Sequence, residues 1–192
     1  MNRPPNESKL SDQFRSEKAH EDWRVRDYRP DVDAPVIFQW IRTEQELLHV
    51  SPSNNGPLTI EQIRDWVRPG GRGYVHTHVS SDRPIAYGEI VPLHDRLTHR
   101  WLGHVIVDPA RRGRGFGTEW TKRLIELAFA DEQTINVSLV VFPENGAAIS
   151  AYRRAGMSIT GEETHRFGTP TSIHKLIRLE LTRDEWALSR SY

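Results

Sequence analysis

VIVDPARRGRGFG, residues 105–117, sets a β-branched run directly against a turn dense in glycine and arginine. The β-branched run ends at Val107. After the turn, Trp120, Leu124, Leu127 and Ala128 recur at helical spacing and line one face. The glycines therefore join a strand to a helix that begins near Gly115. Such a junction leaves the first helical N–H groups without partners. Those groups, at the positive end of the helix dipole, bind anions, phosphate above all. Glycines remove the Cβ atoms that would hold a phosphate away, and they permit left-handed dihedrals. Arg112 and Arg114 add positive charge beside a polyphosphate.

Outward from this turn, the chain reads as alternating elements. Upstream, WRVRDYRP (23–30) is a first strand, and 36–49 carries apolar residues at helical spacing (Ile37, Trp40, Ile41, Leu47, Leu48). The stretch 51–57, SPSNNGP, is a loop by composition. Thr59 and Gln62 form a capping-box pattern that opens a second helix. YVHTHVS (74–80), PIAYGEIVPL (84–93) and RWLGHVIVD (100–108) follow with short links, the mark of an antiparallel meander. Downstream come a strand at 135–142, a short helix at 147–154 closed by Gly156, and two strands near 157–166 and 172–181. The order predicts a single α/β domain: a mixed, mostly antiparallel sheet of about six or seven strands flanked by about four helices. The domain is placed at 23–186, after a polar tail at 1–22 and before a short tail at 187–192.

Composition narrows the function. Among 192 residues, acidic and basic side chains balance at 26 each, which argues against coating nucleic acid or an anionic membrane. No apolar run approaches the roughly 18 residues of a membrane span, and the first 22 residues lack the apolar segment of a secretory signal. The chain has no cysteine, which excludes disulfides, thiolate metal sites and any acyl group parked on an enzyme thiol, and which fits a cytoplasmic protein. The nine histidines form no HExxH or similar cluster, so no metal site is expected. His76 and His78 read as alternating residues of a half-exposed strand.

The turn lacks the GxxxxGK[ST] of a Walker loop, and counted from Gly115 the third glycine of a GxGxxG fingerprint is replaced by Trp120. What stands is Arg112-x-x-Gly115-x-Gly117. This pattern, the Asp-Pro within VIVDPARRGRGFG, and VFPENGAAISAYRRAGM (141–157) downstream together resemble the GNAT superfamily of acetyl-CoA-dependent N-acetyltransferases. The phrasing is most similar to the broad ribosomal-protein-acetyltransferase-like branch. The resemblance implies that the sheet is splayed between its central strands, with acetyl-CoA in the slot. It implies a diphosphate site on Arg112, Gly113, Arg114, Gly115, Phe116, Gly117 and Thr118, pantetheine pairing along Val105 and Val107, and the Val105 N–H on the thioester carbonyl oxygen. Asn145 is implied as a cofactor contact, beside its plain reading as an N-cap. Tyr152 is implied as the acid that protonates the leaving thiolate, beside its plain reading as a core tyrosine.

The resemblance leaves the base open. An amine of pKa ~10 is neutral in only about one part in a thousand at pH 7, so a base or water relay is needed. Glu89, on the strand beside the cofactor strand, is the first candidate, against a plain role as a solvated carboxylate or a group that binds the substrate ammonium. His104 is the second; alternation points it away from Val105 and toward packing. The acceptor, an amine of a small molecule or a peptide, is expected between the first two helices and the last strands. Glu44, Glu46, Glu61 and Asp65 lie there, with the plain reading of helix-surface charges, and Trp40 and Trp66 read as core anchors. Neither nucleic acid nor membrane is expected as a partner, and the assembly is expected to be a monomer or homodimer. Two rival readings stand beside the enzyme: a catalytically silent acyl-CoA-binding domain of the same fold, and an RNA binder using RPGGRGY (68–74) and RRGRGFG (111–117) as RGG boxes.

Overall fold

A computed structural model of the chain describes residues 23–54, 56–93, 95–167 and 171–190; the tail expected at 1–22 lies outside them. The strands are β1 Trp23–Asp27, β2 Arg72–His78, β3 Pro84–Leu93, β4 Arg96–Val107, β5 Asn136–Val141, β6 Ser158–Phe167 and β7 Ser172–Thr182. They form one sheet in the order β1-β2-β3-β4-β5-β7-β6. Every pairing is antiparallel except β4 with β5, which is parallel. The α-helices are α1 Pro30–Phe38, α2 Glu44–Val50, α3 Ile60–Arg64, α4 Phe116–Phe129, α5 Gly146–Arg154 and α6 Arg183–Ser189. The mixed α/β sheet inferred from the sequence is present, with two more helices than expected among the described residues.

Both extra helices follow from local caps. The segment expected as one helix at 36–49 is two. Pro30 starts α1, whose end tightens into short-range bonds at Gln39 and Trp40; Thr43 then accepts from the Glu46 N–H and starts α2. The second addition is α6. Thr182 and Glu185 make a reciprocal capping box, and the helix runs through 186, where the domain was expected to end. The capping box read at Thr59 and Gln62 is formed and opens α3. Gly156, at φ +104°, closes α5 in the left-handed conformation that a C′ position requires.

The sheet buries both faces. On one, α4 and α5 pack Trp120, Leu124, Ile125, Phe129 and Tyr152 over Ala86, Ile90, Leu102, Val137 and Leu139. On the other, α1 and α3 cover Val75, Tyr87 and Ile106 with Ile37, Trp40, Ile63 and Trp66. Trp40 and Trp66 are 2% and 7% exposed, which makes them core anchors. An ion pair ties this second face's edge together: the Arg26 guanidinium grips the fully buried Asp33 carboxylate with two 2.7 Å bonds and also reaches Asp82 at 2.8 Å.

Candidate active site

The parallel ladder between β4 and β5 holds for only three pairs, His99 with Asn136, Arg100 with Val137 and Trp101 with Ser138. Beyond Trp101 the register ends, while β4 stays paired with β3 as far as Val107. The two central strands therefore diverge, and the β5-facing edge of β4 from Leu102 to Val107 has no ladder partner among the described residues. At the fork, Ser138 is buried and its hydroxyl has no hydrogen-bond partner. Strand alternation puts Ser138 on the α1–α3 face, opposite Val137 and Leu139.

β4 runs straight into the glycine turn. The Asp108 side chain accepts from the Ala110 N–H and shapes a short 3-10 turn at Pro109–Arg111. Gly113 and Gly115 follow at φ +73° and +84°, conformations that cost an L residue about 1–2 kcal/mol. A Cβ at either position would meet nothing within 4 Å, so the glycines open onto free space. Gly115 is the N-cap of the 14-residue α4 and provides no side-chain cap. The first intrahelical bond runs from the Glu119 N–H to the Gly115 carbonyl, so the Phe116, Gly117 and Thr118 amides precede the ladder. The residues present fit a diphosphate: uncapped amides, a helix dipole behind them, and space in front.

Among the expected loop residues, the Arg112 and Thr118 side chains make structural contacts. Arg112 is a brace. Its Nε donates to the Val107 carbonyl at 3.0 Å and its Nη2 to the Trp40 carbonyl at 3.2 Å, and its Nη1 pairs with the Glu46 carboxylate. It thus fastens the end of α1 and the start of α2 to the turn. Burial opposes ionisation of Glu46, but the Arg112 hydrogen bond and charge, together with the Arg42 and Thr43 backbone bonds, outweigh it and hold the carboxyl below its ordinary range. Arg111 lies over Trp23 and Phe116, whose rings meet edge to face at 5.7 Å. Thr118 accepts from Arg154 at 3.3 Å, and a Cβ on Gly117 would stand 3.6 Å from Ala151, so α5 packs closely on the first turn of α4. Asn145 caps α5 through Oδ1, accepting from the Ala148 N–H at 3.2 Å; any ligand contact falls to its Nδ2.

Tyr152 projects from α5 into the face made by α4, 8% exposed. Burial pushes its phenol up to about 12, so the hydroxyl is protonated at neutral pH and is a donor. Glu89 is on the opposite face. Rather than lying at a solvated strand end, it is fully buried, with Oε1 2.6 Å from His104 Nδ1 and Oε2 3.4 Å from the Arg68 N–H. A β-bulge creates this contact. Tyr87 and Glu89 pair with Ile106 and Gly103, so β4 carries one residue more than β3 across that interval. His104 takes up the excess at φ +46°. As expected it points away from Val105, which packs toward α4, but it joins a carboxylate rather than mere packing. The acidic residues named for the acceptor side fall on surfaces: Glu44, Glu61 and Asp65 are exposed, and Glu46 is held by Arg112.

Residues 18–157 match the model of the acetyltransferase (GNAT) family. The chain belongs to the GNAT family. In sequence, it is 31% identical over 75 residues to spermidine N(1)-acetyltransferase of Escherichia coli strain K12; the match covers 39% of this chain and 40% of that one. Solved structures repeat the GNAT fold over nearly their whole length. An aminoglycoside acetyltransferase AAC(6')-Ib in complex with coenzyme A superimposes with a TM-score of 0.70 at 17% identity, covering 88% of this chain and 99% of that one. Spermidine N-acetyltransferase from Vibrio cholerae, in complex with CoA and spermine, gives 0.69 at 14% identity, covering 87% and 99%.

Proposed function

We propose that the protein transfers the acetyl group of acetyl-CoA to a primary amine by direct attack in a ternary complex. One observation carries the reading: β4 parts from β5 after Trp101 and leads into the uncapped N-terminus of α4. The amides of Gly113 to Thr118, with Arg114 beside them, hold the diphosphate. Val105 and Val107 present the open backbone edge of β4 to the pantetheine arm, and Asn145 adds a contact from α5. The Val105 N–H holds the thioester carbonyl oxygen; losing a fixed donor of this kind costs about 3–4 kcal/mol of transition-state stabilisation.

Acid and base lie on opposite sides of the opening. Tyr152, from the α5 side, gives its proton to the thiolate as the C–S bond breaks. On the other side Glu89, with the imidazole that touches it, supplies the basicity that frees the amine. The chain has no cysteine, so no acetyl group rests on an enzyme thiol. The acceptor enters between α2 and the β6–β7 hairpin. There His49 lies 5.4 Å from Phe142, Phe142 is 5.5 Å from His174, and Glu144 stands 3.7 Å from His49. Similar structures were solved in complex with spermine and with kanamycin, molecules that each carry several amines, which favours a cationic amine here.

The test is release of coenzyme A, followed with a thiol reagent, from acetyl-CoA and a panel that includes spermine, kanamycin, lysine and N-terminal peptides. The reading predicts release that depends on one class of amine. Binding of acetyl-CoA without release for any amine leaves a silent acyl-CoA-binding domain. Absence of binding overturns the cofactor placement as well.

A further inference from the structure

We propose that His104 is the general base of this site, accepting the proton of the acceptor ammonium at Nε2, and that Glu89 acts through it as a positioning residue. The inference rests on the acetyl-transfer reading and assigns its base. Its ground is the contact between His104 Nδ1 and Glu89 Oε1 at 2.6 Å, with the glutamate side chain 0% exposed and the histidine side chain 12% exposed. An ionised carboxylate only accepts hydrogen bonds, so the hydrogen of that bond is on Nδ1. Fixing it there leaves the Nε2 lone pair as the ring's remaining basic position. The carboxylate has no exposed surface from which to meet an amine, whereas the imidazole has an edge that reaches the outside.

The surrounding chain is arranged to hold this pair. A Cβ on Gly103 would stand 2.5 Å from Glu89 Oε1 and 2.9 Å from its Cγ, so only glycine leaves room for the carboxylate. Trp66 stacks flat on the imidazole, with ring centroids 4.4 Å apart and planes 1° from parallel. The backbone at His104 adopts φ +46°, which a non-glycine residue rarely does without a local reason. Strand, bulge, glycine and indole converge on one ring orientation. This is the nucleophile-activation geometry in which a base is oriented by a third group.

The chemistry favours the ring as acceptor. An ordinary imidazole is about 10²-fold more basic than an ordinary glutamate, and the imidazolium forms against a carboxylate that neutralises it. The other groups around the pair leave that assignment intact. Tyr87, from β3, has a phenol raised first by burial and then by the Glu89 charge, so it stays neutral. The turn after α3 offers the Arg68 backbone N–H to Glu89. The charge that α2 brings toward β4 is the Glu46–Arg112 pair, closed on itself. The protons balance. Nε2 takes one proton from the ammonium, and the freed nitrogen bonds to the acetyl carbon as the C–S bond breaks. The sulfur takes the Tyr152 proton, the second nitrogen proton restores the phenol, and the imidazolium returns its proton to solvent.

The experiment compares the protein with its His104→Gln and Glu89→Gln variants, using ethylamine and 2,2,2-trifluoroethylamine. These acceptors are matched in shape, but at neutral pH only the first is largely protonated. For His104→Gln the inference predicts a kcat with ethylamine reduced about 10²–10⁴-fold at pH 7, an unchanged melting-temperature rise with acetyl-CoA, and a deficit that shrinks toward pH 10 and with trifluoroethylamine. For Glu89→Gln it predicts a kcat with ethylamine that also falls, with a deficit that shrinks with trifluoroethylamine, because an imidazole released from its partner is no longer held toward the acceptor. In the unmutated protein, nitrogen NMR of labelled histidine should find His104 with hydrogen on Nδ1. An Nε2–H tautomer overturns the inference, as does a deficit in either variant that is equal for both amines. No turnover by the unmutated protein overturns the acetyl-transfer reading, and this inference with it.

Discussion

Replacing Gly115 with alanine separates two roles that one residue holds. The backbone there sits at φ +84°, and an added Cβ would touch no atom within 4 Å. The stability cost is therefore the left-handed backbone alone, about 1–2 kcal/mol. For a domain of this size a kcal/mol shifts the melting temperature by roughly 2–4 °C, so Gly115→Ala should melt about 2–8 °C lower. The second role is the open space before the α4 amides, which the methyl group enters. A ligand at 100 times its Kd stabilises the fold by about 2.7 kcal/mol, and weakening it tenfold at the same concentration leaves about 1.4. Gly115→Ala should lose at least that half of the acetyl-CoA-induced rise. Scanning calorimetry with and without acetyl-CoA measures both effects. Gly161→Ala is the control, because its position is not left-handed and a Cβ there also meets nothing within 4 Å. It should change neither quantity. If Gly115→Ala melts lower yet keeps the full acetyl-CoA rise, the diphosphate does not lie on this turn.

Three other outcomes are expected. Tyr152→Phe should slow transfer about 10²–10⁴-fold while acetyl-CoA binding is retained, read from steady-state kinetics beside the melting shift. Arg26→Met should cost about 3–5 kcal/mol in denaturant unfolding, because Asp33 stays buried without its bidentate partner. The Glu163 carboxyl is held below its ordinary value of 4.5, first by the Arg178 hydrogen bond and also by His165. Its stabilisation is complete above that value and disappears as pH falls toward the lowered one, so Glu163→Gln should flatten the loss of stability below about pH 4 in acid titrations.

The parts of the site that are local in sequence were legible there. Gly113 and Gly115 are required by their own dihedrals, and the turn between strand and helix follows from adjacent residues. Asn145 caps, and Tyr152 sits within, one short helix whose register the sequence carries. The α1–α2 break was hidden because Leu47 and Leu48 continue the apolar phase of Ile37 and Ile41 across a non-helical turn; the cap at Thr43, with Glu46 three residues on, was the signal that marks it. The same kind of signal, Thr182 with Glu185, marks α6. The long-range contacts carried no such mark. Arg112 looked like a phosphate ligand because its partners Glu46 and the Trp40 carbonyl lie 66 and 72 residues away. The pairing of Glu89 with His104 depends on a one-residue bulge, and simple alternation places residues without one. Gly103 inside a strand pattern was the available hint, since an interior glycine often accompanies a bulge.

The central claim is that parted strands and an uncapped helix form one slot for a diphosphate-bearing thioester. A crystal structure of the protein with coenzyme A tests it most directly. The account predicts diphosphate oxygens within hydrogen-bond distance of the amides between Gly113 and Thr118, and pantetheine along the β5-facing edge of Val105 and Val107. Coenzyme A bound anywhere else, with that edge of β4 closed onto β5, would contradict it.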